Sequence, residues 1–310
     1  MTSTSTAGPT ARMCPRRPEK ERYLAAVIEQ IRGGSGASRD HGEARKGLLA
    51  AVTHLRKQYT SRDGNDIVAL GDISLDILEG ELLTVVGPSG CGKSTLLHIM
   101  AGVLERTSGQ VMLRGSPIDG PRREIGTVFQ EPLLLPWRTV LDNILLPIEV
   151  HQLPIEQFRP KAIELLQLTG LSAFANKYPH ELSGGMQQRV SIARALVHDP
   201  AILLMDEPFG ALDAMTREQM NMDLMKLWSS AGKTILLITH SIPEAVLLGD
   251  RVVVMSPRPG RIAEVIDIEL PRPRSLDITA TPEFGAYARR VRDHLSAAPP
   301  SGAVETFDGQ

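Results

Sequence analysis

The sequence has little cysteine and no long apolar segment. Cys14 and Cys91 are the only cysteines among 310 residues, which excludes a disulfide framework and suits a reducing compartment. No stretch approaches the roughly 18 consecutive apolar residues of a membrane-spanning helix, and residues 1–20 lack the apolar core of a secretory signal. We therefore expect the protein to act at a membrane only from its side or through a partner.

The chain also carries little net charge. Its 34 basic and 36 acidic side chains leave a net charge of −2 at pH 7. No strong overall field favours nucleic acid or anionic lipid, so we expect no nucleic-acid partner, although this total says nothing of a local basic patch. With 42% apolar residues, the chain is long enough for one large globular domain or two small ones.

Composition changes at both ends of the chain. Residues 1–48 are rich in Ser, Thr, Gly, Pro and Arg, which predicts a mostly flexible extension with one short helix at 23–31. Residues 298–310 predict a flexible tail. Between these ends, residues 49–297 predict the folded domain, and a segment at about 131–197 without a good strand pattern predicts an inserted helical subdomain.

Two apolar patterns predict strands in the folded domain. Ile73, Leu75 and Ile77 alternate with polar residues, and 110–115 alternates in the same way, as in half-buried antiparallel strands. Unbroken apolar runs predict parallel strands buried on both faces, at residues 82–86, 201–205, 234–239 and 252–255. Helical segments separate these runs, so the predicted fold is an α/β core with an antiparallel β appendage.

The helical segment contains one well-defined predicted helix. Residues 155–170 carry Ile163, Leu166 and Leu168, which we expect to form its apolar face. Gly170 is the predicted stop, because glycine is common just beyond the last helical turn.

A glycine-rich run predicts a phosphate site. GPSGCGKST matches G-x-x-x-x-G-K-[ST], follows a predicted strand and opens a predicted helix, a context that argues against a chance match. Its backbone N–H groups and the helix N-terminus face one anion, Lys93 adds a point charge, and the Ser94 hydroxyl is a ligand for Mg²⁺. Cys91 fills a free position as a small residue. The predicted nucleotide-binding residues of this run are Gly87, Pro88, Ser89, Gly90, Cys91, Gly92, Lys93, Ser94 and Thr95.

Two adjacent acids follow the buried run at 201–205. Asp206 and Glu207 therefore reach the carboxyl edge of the predicted sheet, where α/β proteins bind ligands. We expect Asp206 to hold Mg²⁺ and Glu207 to orient and activate an attacking water. The alternative is that both acids simply end a strand at the surface.

A second helix start also has the features of an anion site. Ser183, Gly184 and Gly185 precede an amphipathic helix, so a hydroxyl and free N–H groups stand at its mouth. The chain has one P-loop, so the start of this second helix has a nucleotide to bind only if a second copy of the chain supplies it. Alone, the pattern is also that of an ordinary helix cap.

Six short motifs follow one another in a fixed order. They are GPSGCGKST, IGTVF followed by Gln130, LSGGMQQR, LLMDEP, ALD at 211–213, and TILLIT followed by His240. This order, over roughly 52–295, resembles an ATP-binding-cassette (ABC) ATPase. The resemblance implies a RecA-like P-loop NTPase core with an antiparallel β subdomain and an inserted helical subdomain, and it implies ATP and Mg²⁺ as ligands.

The resemblance also implies roles for single residues. Tyr59 stacks on adenine, unless it is an ordinary strand tyrosine. Gln130 contacts the metal and the attacking water, while His240 contacts the γ-phosphate and holds the catalytic geometry. Asp213 reaches across a dimer in which the P-loop of one cassette and the LSGG of the other enclose each ATP. We expect the second cassette to be another copy of this chain.

Two segments narrow the resemblance further. The cassettes of nitrate, sulfonate and taurine importers have segments similar to QEPLLLPWRTVLDNI and VVVMSPRPGRI. Cassettes of vitamin-precursor importers are the alternative. An importer implies a separate permease, a substrate-binding protein contacted only indirectly, and a peripheral position at the cytoplasmic face of the membrane. The apolar loop 133–137 is a candidate socket for a permease helix, unless it packs the helical subdomain. Ser241 departs from the importer pattern, which usually has aspartate there, and this leaves the local hydrogen bonding open.

Two other classes of protein are alternatives. A soluble ABC ATPase acting on DNA or ribosomes normally has a coiled-coil insertion or two cassettes in one chain, and neither pattern occurs in this sequence. A P-loop kinase has a lid for the phosphate acceptor and no LSGG. Co-purification with a permease would distinguish a transport ATPase from both of these classes.

Overall fold

The computed structural model describes residues 47–60 and 66–296. The predicted short helix at 23–31, nearly all of the predicted extension and the predicted tail lie outside these residues. The described residues form ten strands and seven α-helices, joined in the α/β order that the apolar patterns predict.

One sheet is antiparallel and has four strands in the order β2-β1-β4-β5. Ile73, Leu75 and Ile77 are buried in it while Ser74 and Asp76 are exposed, so the two-residue alternation is confirmed. Its strands are β1 (Leu48–Thr60), β2 (Asp66–Leu78), β4 (Ser108–Leu113) and β5 (Ser116–Pro117).

The second sheet has six strands in the order β10-β9-β3-β8-β7-β6, and all of its pairs are parallel except β10 with β9. Its strands are β3 (Leu82–Val86), β6 (Ile125–Val128), β7 (Ile202–Asp206), β8 (Thr234–Ile238), β9 (Arg251–Met255) and β10 (Ile262–Asp267). β3 lies at the centre and is buried throughout, because both faces of the sheet are covered.

The two faces of this sheet belong to different apolar cores. Leu82 and Val86 pack into a core with the later helices, whereas Leu83 and Val85 pack into a core with the antiparallel sheet and the first helix. The helices are α1 (Lys93–Met100), α2 (Val140–Val150), α3 (Ile155–Leu168), α4 (Gly184–Leu196), α5 (Ala214–Ala231), α6 (Ile242–Leu248) and α7 (Pro282–Ser296). The RecA-like α/β class with an antiparallel sheet is therefore confirmed.

The chain between β6 and β7 consists of α2, α3, two short 3-10 turns and α4. The predicted apolar face of α3 is wrong at Ile163, which is 44% exposed, while Ala162, Leu165 and Leu166 are buried. Residues 162, 165 and 166 share the buried face of the helix, and Ile163 lies on the next face, toward solvent. Gly170 follows the helix with φ +73°, as its predicted stop requires.

Within the described part of the chain, no helix combines the length and apolar character that crossing a bilayer requires.

Candidate nucleotide site

A cleft of about 450 Å³ opens at the carboxyl end of β3. The chain reaches it from three directions: from β1 and β2, from the glycine-rich run after β3, and from loops after other strands of the parallel sheet. The cleft is lined by Tyr59, Ile67, Ala69, Ser89, Gly90, Gly92, Lys93, Ser94, Thr95, Glu207 and Arg258. Most predicted residues of the glycine-rich run are thus brought together with Tyr59 and Glu207.

The glycine-rich run is a tight loop closed by its own lysine. Gly92 has φ +104°, and a Cβ there would lie 2.6 Å from Leu70 Cδ2, so a side chain fits neither the backbone nor the space. The ammonium of Lys93 is nearly buried and donates hydrogen bonds to the carbonyl oxygens of Gly87 at 2.8 Å and Pro88 at 3.1 Å. These bonds hold the loop around a central cation before any anion arrives.

Cys91 packs inside this loop. Its side chain is buried, and a Cβ on Gly87 would lie 2.8 Å from its Sγ. Burial raises the pKa of the Cys91 thiol, which keeps it protonated at neutral pH. Gly87, Pro88 and Cys91 therefore shape the loop from within and do not line the cleft.

Asp206 ends β7 near Ser94, although it is not among the residues that line the cleft. Burial raises the pKa of Asp206 above its usual value, and the nearby Ser94 hydroxyl opposes that rise. A half-buried carboxylate beside a hydroxyl offers two hard oxygen ligands, which suits a divalent cation such as Mg²⁺. Gln130, the third predicted metal residue, is exposed after β6 and is not among the cleft residues.

Glu207 adopts an unusual backbone conformation. Its φ is +43°, in the left-handed region that residues other than Gly, Asn and Asp rarely adopt. Its N–H donates to Ile238 O at 2.9 Å, and its carbonyl accepts from Gly210 N–H at 3.1 Å, so both peptide groups are fixed. This held turn directs the Glu207 carboxylate into the cleft instead of continuing β7.

His240 meets Glu207 from the end of β8. Its Nδ1 lies 3.2 Å from Glu207 Oε2, while just over half of its side chain is exposed. The structure thus pairs two residues that are 33 positions apart in the sequence and were predicted to act on the same phosphate.

Ser241 preserves the local hydrogen bonding after His240. Its hydroxyl accepts from Glu244 N–H at 3.4 Å and caps α6, a role that aspartate also fills at helix starts. Its N–H donates to the Thr239 hydroxyl at 3.0 Å, and that hydroxyl donates in turn to the Glu244 carboxylate. The backbone on both sides of His240 is therefore fixed.

Glu244 was missed in the sequence. Its side chain is buried, and burial raises its pKa. With Arg217, Gly210 and His240 it lines a small pocket beside Glu207. The signal was present in the sequence, because Ser241 followed three residues later by Glu244 has the spacing of a capping box.

The predicted second anion site lies at the start of α4. Ser183 and Gly184 are exposed, and the Ser183 hydroxyl accepts from Met186 N–H at 3.4 Å. A Cβ on Gly185 would lie 3.0 Å from Thr216 Cγ2, which puts the start of α4 beside the start of α5. None of Ser183, Gly184 and Gly185 lines the cleft around Lys93.

Asp213 stands at that neighbouring helix start. It is exposed and accepts a hydrogen bond from Thr216 N–H at 3.0 Å, capping α5. Hydrogen bonding by Thr216 holds the pKa of Asp213 below its usual value, so the carboxylate is charged. Asp213 does not line the cleft either.

Comparison with known proteins decides the family. The family model described as ABC transporter matches residues 70–210. An uncharacterised ABC transporter ATP-binding protein of Methanocaldococcus jannaschii is 49% identical over 233 residues, which cover 75% of this chain and 86% of that protein. The chain belongs to the ABC transporter ATP-binding family. It is an ABC-type ATPase cassette, and the predicted enzyme class is confirmed.

Other relatives of this cassette carry more specific names. The taurine import ATP-binding protein TauB of Roseobacter denitrificans is 50% identical over 212 residues, 68% of this chain and 79% of that protein. TauB of Rhizobium johnstonii is 44% identical over 249 residues, 79% of this chain and 95% of that protein.

Solved cassettes have the same fold. A dimeric ATP-binding cassette in a post-hydrolysis state, bound to ADP and Pi, aligns with a TM-score of 0.64 at 35% identity and covers 72% of this chain and 100% of that chain. CbiO1 of Clostridium perfringens, part of the ABC transporter complex CbiONQ, aligns with a TM-score of 0.65 at 30% identity over 81% of this chain and 97% of that chain.

Proposed function

We propose that this cassette is the ATP-hydrolysing subunit of an ABC importer, and that it drives uptake of a small solute of the nitrate, sulfonate or taurine class through a separate permease. The observation that carries the proposal is the 50% identity to a taurine import ATP-binding protein over 68% of the chain. The cleft geometry supports the ATPase step, and the exposed features outside the cleft support the partners.

The cleft accommodates a nucleotide from base to phosphate. Tyr59 is 41% exposed at the rim, and Lys57 Nζ covers one face of its ring at 4.9 Å from the centroid, which leaves the other face for adenine. The backbone N–H groups of residues 89–95 surround the phosphates. Lys93 exchanges its two carbonyl contacts for phosphate oxygens.

Three residues are proposed to hold Mg²⁺. Ser94 in the cleft and Asp206 at the end of β7 supply oxygen ligands, and Gln130 reaches the metal from the end of β6 if its loop moves inward. The Gln188 amide on α4 donates a hydrogen bond to Phe129 O at 3.2 Å, which couples the loop that carries Gln130 to α4. Bound there, Mg²⁺ would offset the negative charge of the phosphates.

Glu207 and His240 are proposed to carry out the hydrolytic step. The Glu207 carboxylate accepts a hydrogen bond from the attacking water and orients it toward the γ-phosphate. His240, 3.2 Å away, fixes the rotamer of Glu207 and contacts the γ-phosphate with its free side. The strained backbone at Glu207 keeps the carboxylate aimed at the water without reorganisation.

A second copy of the chain is proposed to complete each site. Ser183, Gly184 and Asp213 are exposed and stand away from the cleft, so they are free to meet the nucleotide of a partner. The dimeric state of a solved relative bound to ADP and Pi supports this arrangement. ATP would then act as the bridge between two identical cassettes, and hydrolysis would release them.

A permease is proposed to dock on the helical segment. Leu133 and Trp137 are 54% and 70% exposed, whereas Leu134 packs against the core. Arg194 donates to the carbonyl oxygens of Pro132 at 2.7 Å and Leu133 at 2.8 Å, so the loop has a fixed shape. A rigid apolar loop near Gln130 suits a cytoplasmic helix of a permease and a peripheral position at the cytoplasmic face of the membrane. A substrate-binding protein would be contacted only through the permease.

Two functions remain as alternatives, a vitamin-precursor importer and a soluble ABC ATPase. The test is purification of the tagged cassette in detergent from cells that also express the permease of the neighbouring genes. We expect the permease to co-purify, and we expect the double variant Leu133→Glu, Trp137→Glu to lose it while keeping ATPase activity. Val103→Glu, at an apolar residue that is 64% exposed elsewhere, is the matched control. Absence of any permease with the wild-type cassette favours the soluble ATPase.

A further inference from the structure

One residue of the cleft has no role in the function proposed above. Arg258 lines the cleft together with Tyr59, Ser89 and Gly90, although it lies 163 residues or more from the glycine-rich run. It belongs to the loop of residues 256–261 between β9 and β10, which we call the RPGR loop after residues 258–261.

The RPGR loop is fixed against the phosphate-binding loop. Gly260 N–H donates to Ala69 O at 2.9 Å, and Gly260 O accepts from Gly71 N–H at 2.9 Å, which joins the loop to β2. A Cβ on Gly260 would lie 2.0 Å from Cys91 O, so the two backbones are in direct contact. Arg258 is therefore presented at the mouth of the cleft by backbone contacts on both sides.

The guanidinium of Arg258 has unused donors. A Cβ on Gly90 would lie 3.9 Å from Arg258 Nη2, so the guanidinium stands beside the exposed glycine of the phosphate-binding loop. Among the described residues it makes no hydrogen bond and no ion pair. An arginine presents five N–H donors in a planar fork that matches phosphate oxygens in pairs.

The other charged groups of the cleft already have partners. Lys93 binds Gly87 O and Pro88 O, and Glu207 pairs with His240. The cation at the mouth of the cleft is thus the one best placed to bind an incoming anion first.

We propose that Arg258 binds phosphate oxygens of the nucleotide from outside the glycine-rich run, as a second cation opposite Lys93. The inference rests on the proposed nucleotide site and adds to it a residue that determines affinity for the phosphate chain. Charge-assisted bidentate contacts of this kind are among the strongest that a side chain makes with phosphate.

The test measures binding of two ligands by calorimetry to the full chain: ATP, and inorganic pyrophosphate, which has phosphates but no base. Arg258→Ala should raise the Kd of ATP at least about tenfold, which corresponds to about 1.4 kcal/mol. It should raise the Kd of pyrophosphate by a similar factor, and both losses should shrink at high salt. Tyr59→Ala should weaken ATP alone.

Arg261→Ala is the matched control, because it removes the same charge from the same loop at a residue that does not line the cleft. It should leave both Kd values within about twofold of the wild-type values. Lys93→Ala should abolish binding and thereby establish the site itself. Thermal unfolding of each variant checks that it is folded. Arg258 is exposed, so we expect Arg258→Ala to fold like the wild type.

Each result separates the inference from the proposed function. Unchanged Kd values for Arg258→Ala, with wild-type binding that depends on Lys93, overturn the inference and leave the nucleotide site intact. Loss of ATP binding without loss of pyrophosphate binding places Arg258 against the base and also overturns it. An equal loss of ATP and pyrophosphate binding in Arg261→Ala means that the effect comes from the general charge of the loop, which also overturns the inference. If the wild-type chain binds no ATP, the proposed function itself fails.

Discussion

Protonation of one buried histidine should destabilise the cassette at acid pH. His198 follows α4 and is 5% exposed, with its ring 5.9 Å from the ring of His151. Burial, and secondarily the nearby positive groups of His151, Arg123 and Lys161, lower the pKa of His198 to about 4. In the unfolded chain a histidine has its ordinary pKa of about 6.5.

The sign of the effect follows from proton binding. Between pH 6.5 and 4 the unfolded chain binds a proton at His198 and the folded chain does not, so acid favours unfolding in this window. Above about pH 6.5 both states are neutral at this position and the contribution is constant. The difference between the two pKa values corresponds to about 3 kcal/mol of unfolding free energy, lost progressively as the pH falls toward 4.

Urea unfolding at pH 7, 6, 5 and 4.5 measures this loss, with His198→Gln as the perturbation. Relative to His198→Gln, the wild type should lose free energy of unfolding as the pH falls, because the variant has no proton to bind at that position. Glu244 and Asp206, whose pKa values are raised, contribute equally to both proteins and cancel in the difference. His151→Gln keeps the buried ring but removes one of the groups that lower its pKa, so its loss of stability with falling pH should be smaller. A constant difference between wild type and His198→Gln from pH 7 to 4.5 refutes the reasoning.

Three further predictions follow from the described contacts. Glu207→Gln should keep ATP binding but lower steady-state hydrolysis by orders of magnitude, with ATP-dependent dimers accumulating in size-exclusion chromatography; unchanged turnover removes Glu207 from the hydrolytic step. Mixing Lys93→Ala with Ser183→Arg should recover one intact composite site per mixed dimer and therefore measurable phosphate release, while two folded, paired and inactive chains contradict sharing between copies. Arg274→Met should cost about 3–5 kcal/mol in urea unfolding, because the buried guanidinium binds five carbonyl oxygens that would lose their donor, whereas exposed Arg290→Met should cost less than about 1 kcal/mol.

Local patterns predicted most of the fold. The alternation of Ile73, Leu75 and Ile77 and the unbroken run of β3 each reflect burial on one face or on both, a property that a few consecutive residues reveal. The predicted apolar face of α3 was wrong at Ile163, because the face that a helix buries depends on the direction and distance of the helices packed against it. That distance is a tertiary property and leaves no mark in the segment itself.

Contacts between distant residues were harder to predict from the sequence. The glycine-rich run carries its own geometry in its glycines, and the positive φ of Gly92 follows from its residue type. Glu244 was missed because its partner Thr239 stands on the other side of His240, and burial of the pair depends on α6 packing against the sheet. Arg258 was missed because nothing near it in the sequence points to a phosphate.

Strand order explains why these particular loops meet. β3 pairs with β8 on one side and β9 on the other, both in parallel, so the loops that leave the carboxyl ends of these three strands must emerge at the same edge. The loop after β3 leads to Lys93 at the start of α1, the loop after β8 holds His240, and the loop after β9 holds Arg258. β7 lies one strand further and delivers Glu207, whose left-handed turn reaches back across β8 to His240. A different strand order would leave every motif unchanged and separate the residues, and this is why the position of Arg258 depends on the topology of the sheet rather than on any segment of the sequence.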